Sequence, residues 1–397
     1  MEIYVSLFGK KGNVSGWLRL LEQEKTPFRY KGEKLKTFSS INILVGFPKR
    51  KIKIFIEKNK DKVFITDLNP VREKLIEAFG LLDLPYIHFW YYPTHHCSVF
   101  LLRIDIDYVD LKGLENLLEI TKKYKIRGTY FVNISGDEEF DEEIGFVPLK
   151  VPTTPQRKEI LQRLLDEGNE LANHGYRHKV YDDFENNYKN IRRCRYYLKR
   201  LFRIRDQGFA SPGGEWNKEL ASAISKNNFL YCSHIVSQTG EFPFYQSYNG
   251  KRMKVLEIPF YEISDGKFES SFKKSQNLRN ISEKLQKYYL RYIEKRLKDN
   301  RPIAIMSHPH LLGRIAKNVL SPVFKKISRL KIPNYTLKEF ATWWKRRKSL
   351  KLKYYKRNNK IEIYSSNPAL IEIIFRENRK ILKMNKTTII NPTNIKP

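Results

Sequence analysis

The stretch LANHGYRHKV, residues 171–180, sets two histidines four apart, at His174 and His178. In a helix or a helix-like turn such positions share a face. Two imidazoles on one face can grip one metal ion. A second stretch, RIDID, places Arg103, Asp105 and Asp107 at alternate positions. Along a strand these three point to one side, and Ile104 and Ile106 to the other. Two carboxylates on one side repel each other unless a cation or a proton intervenes. A cation held by Asp107, His174 and His178 keeps one coordination position open for water, as a catalytic site requires. A third stretch, SHPH, adds His308 and His310. The chain has only 8 histidines, so four of them in two short motifs is a concentration that asks for a chemical reason.

These side chains meet only if the elements bring them to one rim. From residue 98 onward, strand-like and helix-like segments alternate. SVFLLRIDID reads as a strand, LKGLENLLEITKKY as a helix, RGTYFVNIS as a strand and TPQRKEILQRLLDEG as a helix, with Thr153 or Thr154 as its cap and Gly168 as its stop. Further strands are NELANH, QGFAS, NFLYCSH, KVLEIPF and RPIAIMSH, and FENNYKNIRRCRYYLKRLF is an amphipathic helix. This alternation predicts a parallel α/β architecture, closed barrel or open sheet. In such folds functional residues gather at the C-terminal ends of strands. Asp105, Asp107, His174 and His308 all stand at predicted strand ends.

Residues 1–94 read as a small α/β domain, with strands predicted at EIYVSLFG, SINILVGF, KIKIFIE and KVFITDL, and helices at SGWLRLLEQEK and NPVREKLIEAFGLL. HFWYYPTHHC reads as a connector. Residues 348–397 read as a basic segment followed by a short β-rich appendage. The central domain spans 98–347.

The chain has 397 residues, 41% of them hydrophobic, enough for a sizeable core. No run approaches the roughly 18 apolar residues of a membrane span. The opening segment alternates like a strand and lacks the basic-then-apolar profile of a secretory signal. Three scattered cysteines do not form a disulfide framework, and the expected location is the cytoplasm, with membrane association left open. The formal net charge is +32, spread largely over solvated helix faces. Its densest stretch, residues 345–360, carries nine Lys or Arg and no acid. That stretch could attract an anionic membrane surface. A nucleic-acid partner is not expected, since charge alone would argue for it.

The order IDID, HGYRH, ASPGG and SHPH resembles the polysaccharide deacetylase family (NodB-homology, carbohydrate esterase family 4) over about residues 98–345. The resemblance implies a distorted (β/α)7 barrel that removes acetyl groups from N-acetylated sugars. It implies Asp105 as catalytic base, Asp107, His174 and His178 as ligands of a divalent metal, most simply zinc, and His308 as general acid, with His310 the alternate. The family's third motif reads Arg-x-Pro-x-Gly. Here Ala210 stands at the arginine position, with Pro212 and Gly214 retained. Arg103, one strand repeat before Asp105 and on the same face, is the expected replacement that orients Asp105. The family's fourth motif, an acid near a tryptophan, has no clean match; EIPFYEISD is the nearest region. Trp216 just after the third motif and His234 at a strand end are candidate substrate contacts, together with Pro212 and Gly214.

The expected substrate is an N-acetylated sugar from surface-glycan or envelope synthesis, carried on a nucleotide or a lipid. A lipid carrier would suit the basic stretch 345–360. Two alternatives stand beside this reading: another amide or imide hydrolase on the same barrel, and a catalytically impaired carbohydrate-binding relative. Asp105 and His308 speak against the latter, because binding needs neither a base nor an acid.

Overall fold

The computed structural model describes residues 1–35, 39–135, 138–141, 145–148, 153–234, 242–248, 251–260, 264–268 and 278–395. The chain divides into two units: Met1–His95 with Trp343–Pro397, and His96–Thr342.

In the central unit one sheet carries nine strands. Seven run parallel in the spatial order Lys251–Glu257, Tyr231–Ser233, Gly208–Ala210, Glu170–Asn173, Gly128–Val132, Phe100–Ile106 and Ile303–Ser307. Phe244–Tyr248 adds an antiparallel strand at one edge, and Asn334–Tyr335 pairs with the start of Phe100–Ile106. Every residue of Phe100–Ile106 is buried, as expected for a strand covered on both faces. The closed (β/α)7 barrel expected from the resemblance is not formed by hydrogen bonding among the described residues. The strands Lys251–Glu257 and Ile303–Ser307 do not pair, and only an isolated bridge, Ser264 to Met306, lies beside the latter.

The helices begin and end where side chains satisfy their free backbone groups. Asp110 caps Leu111–Tyr124 by accepting from the Gly113 N–H, and Thr154 caps Pro155–Asp166 by accepting from Arg157. Asp183 caps Phe184–Phe202 in the same way. Leu114, Leu117, Leu161, Leu164, Cys194 and Leu198 pack from these helices onto the sheet in one core with Leu102, Ile104, Tyr130 and Val132. Register then fixes the rim. Asp105 lies beside Phe131, Asn173 beside both Val132 and Phe209, and Ala210 beside Ser233.

In the other unit the N-terminal residues and the tail share one core, including Val5, Trp17, Ile43, Tyr86, Leu352, Ile363 and Ile373. A parallel sheet in the order Phe28–Gly32, Val5–Phe8, Ile41–Leu44, Val63–Ile65 stands beside two antiparallel sheets. Those two join the chain's distant parts: Glu2–Ile3 pairs with Leu352–Arg357, and Tyr86–Phe89 with Ala369–Phe375. Thus HFWYY is partly a buried strand rather than a connector. KIKIFIE, read as a strand from its alternation, lies in the helix Lys49–Lys58. Its apolar Ile52, Phe55 and Ile56 fit i, i+3, i+4 spacing, which a period of two had concealed. Within the basic stretch 345–360, Arg347 is buried and donates to the carbonyls of Gln23, Glu24, Phe89 and Trp90, so at least one of its cations serves the fold. No helix among the described residues is long and apolar enough to cross a membrane.

Candidate metal and catalytic centre

Asp107 lies one residue beyond the strand Phe100–Ile106, and His174 one residue beyond Glu170–Asn173. His174 and His178 are not joined by a helix. Gly175 adopts φ +87°, where a Cβ would meet the Arg177 carbonyl oxygen at 2.7 Å, and the chain turns tightly to bring the second ring back. The result is the shared face expected of a helix-like turn: the ring centroids are 5.1 Å apart. His174 Nε2 is 3.0 Å and His178 Nε2 3.1 Å from the same oxygen, Asp107 Oδ1.

The His174 Nδ1 is 2.9 Å from the carbonyl oxygen of Ala210. A carbonyl only accepts, so Nδ1 carries the proton and donates it. In the neutral ring Nε2 then presents a lone pair to Asp107. A lone pair facing a carboxylate oxygen calls for a cation between them, and a second nitrogen fixed by a carbonyl is the usual support of a metal-binding histidine. The donor set therefore fits a divalent ion. Burial pushes the Asp107 carboxyl up, but the charge of His308 and the imidazoles of His174 and His178 beside it more than offset this and hold it well below the usual range.

Asp105 is buried beside this set, its Oδ2 3.9 Å from His174 Nε2. Arg103 grips it with two parallel bonds, Nε to Oδ1 at 2.8 Å and Nη2 to Oδ2 at 2.5 Å. The third nitrogen, Nη1, donates to the carbonyl and hydroxyl oxygens of Ser233, both at 3.0 Å. The guanidinium lies 4.0 Å from the centre of the Phe260 ring. A planar fork held on two sides fixes the carboxylate in one orientation.

His308 Nε2 is 3.4 Å from Asp107 Oδ2, while its Nδ1 is 2.6 Å from Asp265 Oδ1. Asp265 is fully buried, and its Oδ2 accepts from the Ser307 hydroxyl and from the backbone N–H groups of His308 and Leu312. Burial lowers the affinity of His308 for its proton, yet Asp265 and then Asp107 raise its pKa to about 10. His310 differs: burial and the neighbouring His308 push it down to about 4, and its ring packs edge-on against Tyr108 at 5.0 Å. Asp265 was not legible as a site residue. It lies in EIPFYEISD, the region nearest the fourth motif, and acts only because a 3-10 turn, Asp265–Phe268, aims it at the end of a strand forty residues on.

The remaining candidates stand apart. Pro212 and Gly214 form a 3-10 turn, with Gly213 and Gly214 at φ +62° and +68°. Trp216, 38% exposed, packs edge-on against His234 at 4.6 Å. Among the described residues no hydrogen bond or ion pair joins either ring to Asp107 or His308.

Comparison with known proteins agrees with the motifs. Residues 94–232 match the family model of the polysaccharide deacetylases. The resemblance to that family holds, and the matched residues include IDID, HGYRH and ASPGG; SHPH lies beyond them. A chain from Mycobacterium smegmatis assigned to the polysaccharide deacetylases superposes with TM-score 0.53 at 17% identity, covering 66% of this chain and 94% of that one. A second, from Pseudomonas aeruginosa PAO1, gives 0.50 at 15% identity, covering 68% and 97%. At such identities the likeness is one of fold. No curated protein matches the chain.

Proposed function

We propose that this chain is a metal-dependent hydrolase that removes an acetyl group from an N-acetylated sugar, the substrate class implied by its family resemblance. The carrying observation is the convergence of His174 Nε2 and His178 Nε2 on one oxygen of Asp107, with Asp105 and His308 adjoining that set. A divalent ion held by Asp107, His174 and His178, zinc being best suited to this ligand set, would polarise the acetyl carbonyl and make water a better nucleophile at neutral pH. Asp105, fixed by Arg103, takes the proton from the attacking water. His308, charged and backed by Asp265, gives a proton to the departing sugar amine. Geometry favours His308 over His310 for this role, since His308 reaches the Asp107 carboxylate and His310 packs on Tyr108. Arg103 supports the base where the family's third-motif arginine is replaced by Ala210. The Ala210 carbonyl meanwhile orients His174, a role that asks nothing of the side chain. Trp216 offers an exposed aromatic face on which a sugar ring could stack.

The test is acetate release from a panel of N-acetylated sugars, free, nucleotide-linked and polymeric, by the wild type and by Asp105→Asn. Release that falls at least a hundredfold in the variant supports the reading. Release that is unchanged in Asp105→Asn, or absent from every substrate with the metal loaded, overturns it.

A further inference from the structure

We infer that Cys232, His234 and Glu257 form a second, closed metal site in the central unit, separate from the Asp107 set. Cys232 lies in the strand Tyr231–Ser233, His234 just beyond it, and Glu257 ends the neighbouring strand Lys251–Glu257. All three are buried. Their donor atoms lie within 4.8 Å of one another.

The contacts are crowded onto one atom. Glu257 Oε2 has the Cys232 sulfur at 3.1 Å, His234 Nδ1 at 3.2 Å and Gln246 Nε2 at 3.0 Å, whereas among the described residues Oε1 takes only the His234 backbone N–H, at 2.8 Å. A carboxylate has about four lone-pair sites over its two oxygens, so a single oxygen suits two donors, not three. The same convergence on one carboxylate oxygen marks Asp107, His174 and His178. A tetrahedral ion with ligand distances near those of zinc sets its ligands about 3.3–3.7 Å apart, so the two contacts to Glu257 Oε2, at 3.1 and 3.2 Å, would open by only a few tenths of an ångström to admit one. Turning the Gln246 amide by half a turn would present its oxygen as a fourth ligand.

Charge points the same way. A thiolate and a carboxylate together neutralise a dication, and a buried site without net charge avoids the cost of isolated buried ions. The thiol proton leaves to solvent when the metal enters. A thiolate in the set selects a soft or borderline ion, zinc over magnesium or calcium. With no exposed ligand the site is structural. It ties the ends of two adjacent strands beneath Trp216, whose ring packs on His234.

The experiment uses the full chain carrying Asp107→Ala and His174→Ala, which removes the first site, so that failure of one proposal leaves the other standing. After chelation and dialysis, cobalt(II) is titrated in. One equivalent bound, with a near-ultraviolet thiolate-to-cobalt band that disappears on adding Cys232→Ser, supports the site. No uptake, uptake without the band, or a band that persists in Cys232→Ser overturns it. Should Cys232→Ser fail to fold, alkylation of Cys232 by a maleimide in moderate urea that opens the buried strand, read at that residue by peptide mass spectrometry, decides the matter in the chain that retains it. Protection by zinc that chelation abolishes supports the site, and equal labelling with and without zinc overturns it.

Discussion

Replacing Arg103 by Met tests whether the proposed base, Asp105, is held from within its own strand. Arg103 and Asp105 are 2% and 3% exposed and share two hydrogen bonds. Breaking a buried ion pair by removing one partner costs about 3–5 kcal/mol, because the other charge is left uncompensated. Arg103→Met and Asp105→Asn should each fall in that range. The double variant should cost well under the sum, giving a coupling energy of about 2–3 kcal/mol, the upper part of the range for contacting pairs. Urea unfolding of all four chains measures it. Turnover gives a second reading. Arg103→Met should lower kcat by about 10²–10⁴, the usual worth of a positioned acid or base, while bound metal stays near the wild-type level. In the Asp105→Asn background the same change should cost little more, since residues acting as a unit are not additive. Additive unfolding energies within about 0.5 kcal/mol, or unchanged turnover in Arg103→Met, would refute the reasoning.

Two other predictions follow from carboxylates of the central unit. Asp265→Asn removes the charge that raises His308, so the alkaline limb of the kcat/KM profile should move to lower pH, with kcat also reduced; an unmoved limb would separate Asp265 from the acid. Glu170, at the opposite end of its strand from His174, is raised to about 7 by burial that outweighs donation from Lys338 N–H, Thr129 and Tyr231. Its folded value lies above its unfolded value, so it favours the fold only when protonated, and its cost grows as pH rises from about 4.5 to about 7. A shift of that size corresponds to about 3 kcal/mol, and about 1–2 after screening of a partly exposed side chain. Glu170→Gln should therefore be the more stable chain at pH 8, with the gap closing towards pH 4.5. A gap that is constant across that range, in urea unfolding at each pH, would contradict the assignment.

What could be read in the sequence was what local pattern governs. The apolar run ending in Asp105 and Asp107 announced a buried strand, because parallel strands are covered on both faces. Alternation along that run placed Arg103 on the side of Asp105, and the two are bonded. The caps at Thr154 and stops such as Gly168 were likewise local. Contacts made over long separations were not legible. Asp265 meets His308 forty-three residues away, and nothing in EIPFYEISD marks which acid will do so. The Ala210 carbonyl that fixes His174 is a backbone group, invisible to any reading of side chains. The pairing of Glu2–Ile3 with Leu352–Arg357 spans nearly the whole chain, so the tail looked like an appendage until the strands were seen together. KIKIFIE misled because its spacing satisfies both a period of two and a helical face, and only packing decides between them.

The most direct test of the central claim is metal content of the purified chain by elemental analysis, compared with Asp107→Ala and His174→Ala. The account predicts that each variant loses one equivalent of divalent metal relative to the wild type, while its far-ultraviolet circular dichroism is retained. Folded variants that keep the full wild-type content would contradict it, and would remove the reason for His174 and His178 to face a single carboxylate oxygen.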